Sequence, residues 1–162
     1  MSRDYTHLKG ILPGAFQLQQ VSVSASTTSG QIMSFQNPEF GMDSELPFNQ
    51  TTITPGEVWI TTGRIIVKHA PAVSVGLDLG VGAAATTDAD NLIDGLTITA
   101  DCPVNTIYGN IGFPGSHGKV DGVYFGPSQY CNLTVVSGNA NGLVVEVEIQ
   151  GQQPIGGTAS SF

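Results

Sequence analysis

Cations are scarce in this sequence. Its 162 residues include only 5 Lys and Arg against 13 Asp and Glu, a formal net charge of −8. Affinity for a phosphate backbone needs clustered Lys and Arg. Arg3, Lys9, Arg64, Lys68 and Lys119 are few and scattered, which speaks against a nucleic-acid partner. Charged residues of either sign supply 11% of the chain. Helices normally carry Glu, Lys and Arg on their solvent faces, so this scarcity disfavours a helical fold. Long apolar runs are missing as well: no stretch approaches the roughly 20 residues that span a bilayer as a helix, and no membrane role is expected. Met1 to His7 lacks the apolar segment of a secretory signal, so synthesis in the cytoplasm is expected.

Chemistry-bearing residues are equally sparse. Cys102 and Cys131 form no metal-binding spacing, and two cysteines made in a reducing cytosol read as free thiols, with a late-forming disulfide as the alternative. The sequons Asn49-Gln50-Thr51 and Asn132-Leu133-Thr134 matter only in a secreted chain and are read as chance. Nucleophilic catalysis needs a histidine held beside Ser or Cys and an acid to orient it. His7 lies near the start, His69 ends an apolar segment as a partly buried, satisfied histidine, and His117 sits in a glycine loop, Pro114-Gly115-Ser116-His117-Gly118-Lys119. None has that setting. Gly80-Val81-Gly82 lacks a phosphate-binding context. Asp88 and Asp90 have the first two spacings of a calcium loop, but Leu92 occupies the third and no Glu follows at the twelfth. No catalytic residue, metal ligand or cofactor is expected, and the chain reads as a non-enzyme.

What is present is strand signal. Residues 1–13 end at Pro13-Gly14 and read as an N-terminal arm, 14–151 as a single domain, and 152–162 as a flexible tail. Phe16 and Leu18 share one parity and Val21, Val23 and Ala25 the other, which predicts a bulge at Gln19-Gln20. Residues 31–35 read as the return strand of a hairpin turned at Thr27 to Gly30. Glu57 to His69 is rich in Val, Ile, Trp and Thr, with a bend expected at Gly63. Val73, Val75, Leu77 and Leu79 alternate with Ser74, Gly76, Asp78 and Gly80, and Leu143 to Ile149 alternates likewise. That is the period of strands with one buried face. Leu96 to Ala100, Val120 to Phe125 and Tyr130 to Ser137 add further strands. Eight or so short strands without βαβ alternation predict an all-β fold, an antiparallel β-sandwich of jelly-roll type. One short helix is expected near 88–94, capped by Thr87 or Asp88 and closed by Gly95.

Binding is then assigned to surface. Trp59, Tyr108, Tyr124, Phe125 and Tyr130 are available as aromatic anchors. The arm contributes Arg3, Tyr5, His7 and Leu8 as interface candidates, and the long segment Asn37 to Pro55 contributes Phe40, Met42, Leu46 and Phe48. Ser, Thr, Asn and Gln give neutral polar outer faces, which suit a close-packed assembly.

Leu77-Asp78-Leu79-Gly80-Val81-Gly82-Ala83, followed by Thr86-Thr87 and Asp90 to Leu96, resembles a segment of the small capsid decoration proteins of tailed bacteriophages, where a strand ends at Gly-x-Gly and a short helix returns the chain. Leu133 to Glu148 is similar to the closing hairpin of such proteins. The resemblance implies a structural virion protein on the capsid exterior, bound to the major capsid protein, commonly as a homotrimer, and stabilising the expanded head. A tail-fibre or lectin-like module that binds a receptor or glycan through Trp59 or Tyr108 is the alternative.

Overall fold

The computed structural model describes residues 11–37, 58–110 and 122–154. Among these residues the chain is all-β, with nine strands: β1 Ile11–Ser22, β2 Gly30–Gln36, β3 Val58–His69, β4 Val75–Gly82, β5 Ile93–Ile98, β6 Ile107–Gly109, β7 Val123–Phe125, β8 Tyr130–Gly138 and β9 Val144–Pro154. They form two antiparallel sheets. One runs β1-β9-β3-β6 with β7 also on β3; the other runs β2-β8-β4-β5. The first strand is paired with the last, Ile11 standing opposite Pro154.

The two sheets share one core. Val21, Ile60, Ile65, Val67, Val145, Val147 and Ile149 of the first sheet join Met33, Leu77, Leu79, Val81, Leu96, Ile98, Leu133 and Val135 of the second in a single apolar cluster. Burying each Leu, Ile or Val contributes about 1.5–3 kcal/mol. The alternation of β9 is realised as read: Val145, Val147 and Ile149 are buried, while Val144, Glu146, Glu148 and Gln150 are half-buried on the other face. There Arg64 Nη2 meets Glu148 Oε1 at 2.9 Å and Lys68 Nζ meets Glu146 Oε2 at 3.4 Å.

Several local expectations are corrected. From Ala15 to Ser22, β1 pairs with Gly151 to Val144 in unbroken register, and the shift lies between Pro13 and Ala15. Gln19 stands opposite Val147, and residues directly opposite share a face. Gln19 therefore takes a half-buried core-side position that its polarity concealed. Residues 27–30 do not close a hairpin, because β2 pairs with β8 and not with β1. Thr27 is instead tied to the β8–β9 crossing, its N–H donating to Asn139 Oδ1 at 3.1 Å and its carbonyl accepting from Ala140 N at 2.8 Å. Likewise, 133–148 is no hairpin: β8 and β9 lie in different sheets. The register of β3 shifts at 60–62 and 67–69, on either side of Gly63. A Cβ there would stand 3.4 Å from Leu79 and 3.5 Å from Leu92, so the missing side chain makes room for the opposite sheet.

The helix expected at 88–94 is absent. Ile93 opens β5, opposite Leu79. Asn91 explains the difference: its side chain accepts from Val81 N at 2.8 Å and donates to Val81 O at 2.9 Å, copying a strand partner, while Leu92 N donates to Leu79 O at 3.1 Å. Gly95 N donates to Asp78 Oδ1 at 2.7 Å. Of the residues read as helix caps, Gly95 is bonded to β4, while Thr87 Oγ1 accepts from Ala84 N at 3.1 Å within the stretch itself.

As a result β4 is buried along its whole length, on both faces. Residues 83–92 lie over the face that alternation assigned to solvent. A Cβ on Gly80 would come within 2.5 Å of the Ala89 carbonyl oxygen, and one on Gly82 within 2.5 Å of Thr87 Cβ. The stretch is fastened further by Asn132 Nδ2, which donates to the carbonyls of Ala84 (3.0 Å) and Thr87 (2.9 Å), and by Gln31 Nε2, which donates to Thr86 O at 3.1 Å. Asn132 is fully buried and presents no acceptor site for a glycan.

Burial under this cover pushes the Asp78 carboxyl above its ordinary range; the Gly95 N–H opposes the shift, and Asp88, Asp94 and Asp90 reinforce it. A folded-state pKa above the unfolded one means that the stabilising contribution is full below the unfolded value, about 3.9, and is lost as pH rises through the folded value. Asp78→Asn, which keeps an acceptor for Gly95, is therefore expected to melt above the wild type at pH 7. The gap should close as pH falls toward 4, and thermal melts of both proteins across that window check it.

Candidate binding surface

β3 and β7 place two aromatic rings side by side. Trp59 is the register partner of Tyr124 on β7 and of Gln152 on β9. Its neighbour in sequence, Ile60, points into the core, as does Phe125 after Tyr124; both are buried. The period of two then sends Trp59 and Tyr124 outward, and they stand 47% and 37% exposed. Their ring centroids are 5.7 Å apart at 62°, an edge-to-face pair.

The support beneath them is rigid. Phe125 meets Phe35 of β2 edge-on, with centroids 6.1 Å apart at 76°. Asn37 Nδ2 donates to Phe125 O at 2.8 Å, Asn37 N donates to Gln129 O at 2.9 Å, and Gly126 N donates to Gln129 Oε1 at 2.6 Å. These bonds tie the end of β2 to the β7–β8 turn. Gly122 leaves space beside the indole, where a Cβ would stand 3.6 Å from Trp59 Cε3. The pair thus offers an apolar, pre-ordered surface with little rotamer freedom left to lose on contact.

Of the interface residues expected from sequence, Trp59 alone falls among the described residues, and it is exposed. Arg3, Tyr5, His7, Leu8, Phe40, Met42, Leu46 and Phe48 lie outside them, as does His117. The other aromatics are turned to different use. Phe125 is core. Tyr108 packs half-buried against the core with its hydroxyl 3.5 Å from Cys102 Sγ, and burial, reinforced by Cys102, pushes its pKa up to about 12. His69 is exposed, its Nδ1 2.8 Å from Gly142 O. Cys102 and Cys131 are buried free thiols, and burial pushes Cys131 up to about 12. Among the described residues, no three His, Cys, Asp or Glu side chains are grouped to hold a metal.

Tyr124 acquires its importance from the pairing of β3 with β7. The single Trp could be picked out from composition; its partner, far away in sequence, could not. Compared with known protein families, curated proteins and solved structures, the chain gives no match.

Proposed function

We propose that the chain is a non-enzymatic structural module that binds other proteins, and that it decorates the exterior of an expanded tailed-phage capsid. One observation carries the reading: an exposed Trp–Tyr pair mounted on strands whose alternate residues are locked in the core. Aromatic anchors of this kind dominate protein–protein binding energy. The fold is read as a jelly roll. The strand orders β1-β9-β3-β6 and β2-β8-β4-β5, with connections that cross between sheets everywhere except β4–β5 and β6–β7, match two interlocked Greek keys. That architecture recurs in viral shells and in lectins.

Its partner would be the major capsid protein of the assembled lattice, and its place the virion surface. Binding the expanded shell and not the free subunits stabilises the shell by mass action. Two local features behind the phage resemblance, the short helix and the closing hairpin, differ in the folded chain, so support now comes from the surface and the strand order. Trp59→Ala is expected to weaken co-sedimentation with expanded shells by about tenfold or more, with the far-ultraviolet circular dichroism unchanged. Wild-type protein left in the supernatant would sink the decoration reading.

The exposed indole of Trp59 also supports a second reading, a lectin-like or tail-fibre module that stacks a sugar ring on it. A glycan array separates the two, since binding there that Trp59→Ala abolishes belongs to the lectin.

A further inference from the structure

The longest strand edge in the fold is bare among the described residues. β1 spends one edge on β9 along its whole length, and no described strand pairs with the other. Such an edge presents a row of unpaired N–H and C=O groups, and natural proteins blunt it with charge, proline, a bulge or a cover. Here Pro13 and the adjacent register shift protect one end. From Ala15 to Ser22 the edge is straight in register, free of proline and free of charge. Eight residues at about 3.4 Å each extend for about 27 Å.

Charge distribution indicates the occupant. The strands of this sheet carry Arg64 and Lys68 against Glu146 and Glu148, two cations and two carboxylates, hence no net charge with His69 neutral. Both carboxylates are paired. Most of the remaining acidity of the described chain lies on the other side: Asp78 and Asp94 in β4 and β5, Asp88 and Asp90 in the stretch that covers β4, with Asp101 between β5 and β6. A cationic partner would be drawn to that side. Two copies of a −8 chain repel one another and approach most easily through the neutral sheet, with the acidic sheets held apart.

We propose that β1 pairs antiparallel with β1 of a second copy about a two-fold axis, joining two five-stranded sheets into one continuous sheet. The contact is isologous, with the same edge used by both copies. It replaces the three-fold arrangement that the phage resemblance implies, and it does not depend on capsid binding.

Sedimentation equilibrium of the full chain tests it, beside Gln20→Lys/Ser22→Lys, which sets four lysines along the joined edges. Thr97→Lys/Thr99→Lys, at and just beyond the end of β5, adds the same charge elsewhere; all four positions are exposed. The wild type and the β5 variant should sediment as dimers and the β1 variant as a monomer with wild-type circular dichroism. A monomeric or trimeric wild type, or equal behaviour of the two variants, overturns the proposal. Should the β1 variant fail to fold, amide exchange of the wild type decides: protection of 15–22 must rise with protein concentration, and concentration-independent exchange overturns it. Capsid co-sedimentation is read separately, so failure of one reading does not masquerade as failure of the other.

Discussion

Phe125→Ala is expected to destabilise the protein by about 3–5 kcal/mol, the cost of emptying an aromatic site in a closed core. The ring is fully buried and meets Phe35 edge-on across the sheets. Truncation therefore removes burial, an aromatic contact and the filling of the space between β7 and β2 at once. For a chain of this size each kcal/mol moves the melting temperature by about 2–4 °C, so a drop of about 10 °C is anticipated in calorimetry. Trp59→Ala, one register step away on the neighbouring strand but facing out, should lower it by far less. A Phe125→Ala protein that melts within about 3 °C of the wild type would show that the core does not close here, and the rigid footing of the Trp59–Tyr124 pair would go with it.

Gly138→Ala should be comparably severe, for a different reason. Gly138 ends β8 with φ at +73°, and an added Cβ would run into the carbonyl oxygen of Ser74 and lie 2.9 Å from Val75 Cα, both backbone atoms that β4 holds in place. Gly30 provides the comparison: its φ is +89°, but a Cβ there meets nothing within 4 Å. Gly30→Ala should then cost only the left-handed conformation, about 1–2 kcal/mol. Gly138→Ala adds the clash, for about 3 kcal/mol or more. Denaturant titrations of the two variants isolate the contribution of the clash as their difference.

Composition and period carried the reading of the fold as far as class. Val145, Val147 and Ile149 are buried and alternate with half-buried Val144, Glu146, Glu148 and Gln150, as the period of two predicts. β4 obeyed the same pattern yet lies buried on both faces, and the clue was the identity of its off-face residues. Gly76, Gly80 and Gly82 are what a strand needs when neighbouring chain lies directly on it: the side chain of Ser137, the backbone of Ala89 and the side chain of Thr87 fill the places of their missing Cβ atoms. The misplaced helix at 88–94 has a related cause. Gly95 reads as its closing residue, but the Gly95 N–H goes to Asp78 and the side chain of Asn91 goes to Val81, and nothing local distinguishes a helix end from a long-range clamp. The two supposed hairpins failed because short connections, Ser- and Thr-rich between β1 and β2 and Asn- and Gly-rich between β8 and β9, serve a crossing between sheets as well as a reversal within one. Of the binding surface, Trp59 was legible as the lone indole, while Tyr124 was one aromatic among several until β7 set it beside Trp59.

The strand order also bears on how the chain is built. The two central positions next to the sheet edges, β9 beside β1 and β8 beside β2, are filled by the last two strands to leave the ribosome. Until they emerge, no described strand is there to pair with β1 or β2, so neither sheet can be completed from the N-terminal half. Contacts that span the chain in this way are slow to form, and synthesis at about 5–20 residues per second leaves the early strands waiting unpaired. A chain stopped between Gly138 and Val144 would possess both partners of β8 and none of the strand that joins β1 to β3, an intermediate with a finished sheet and an unmatched apolar face.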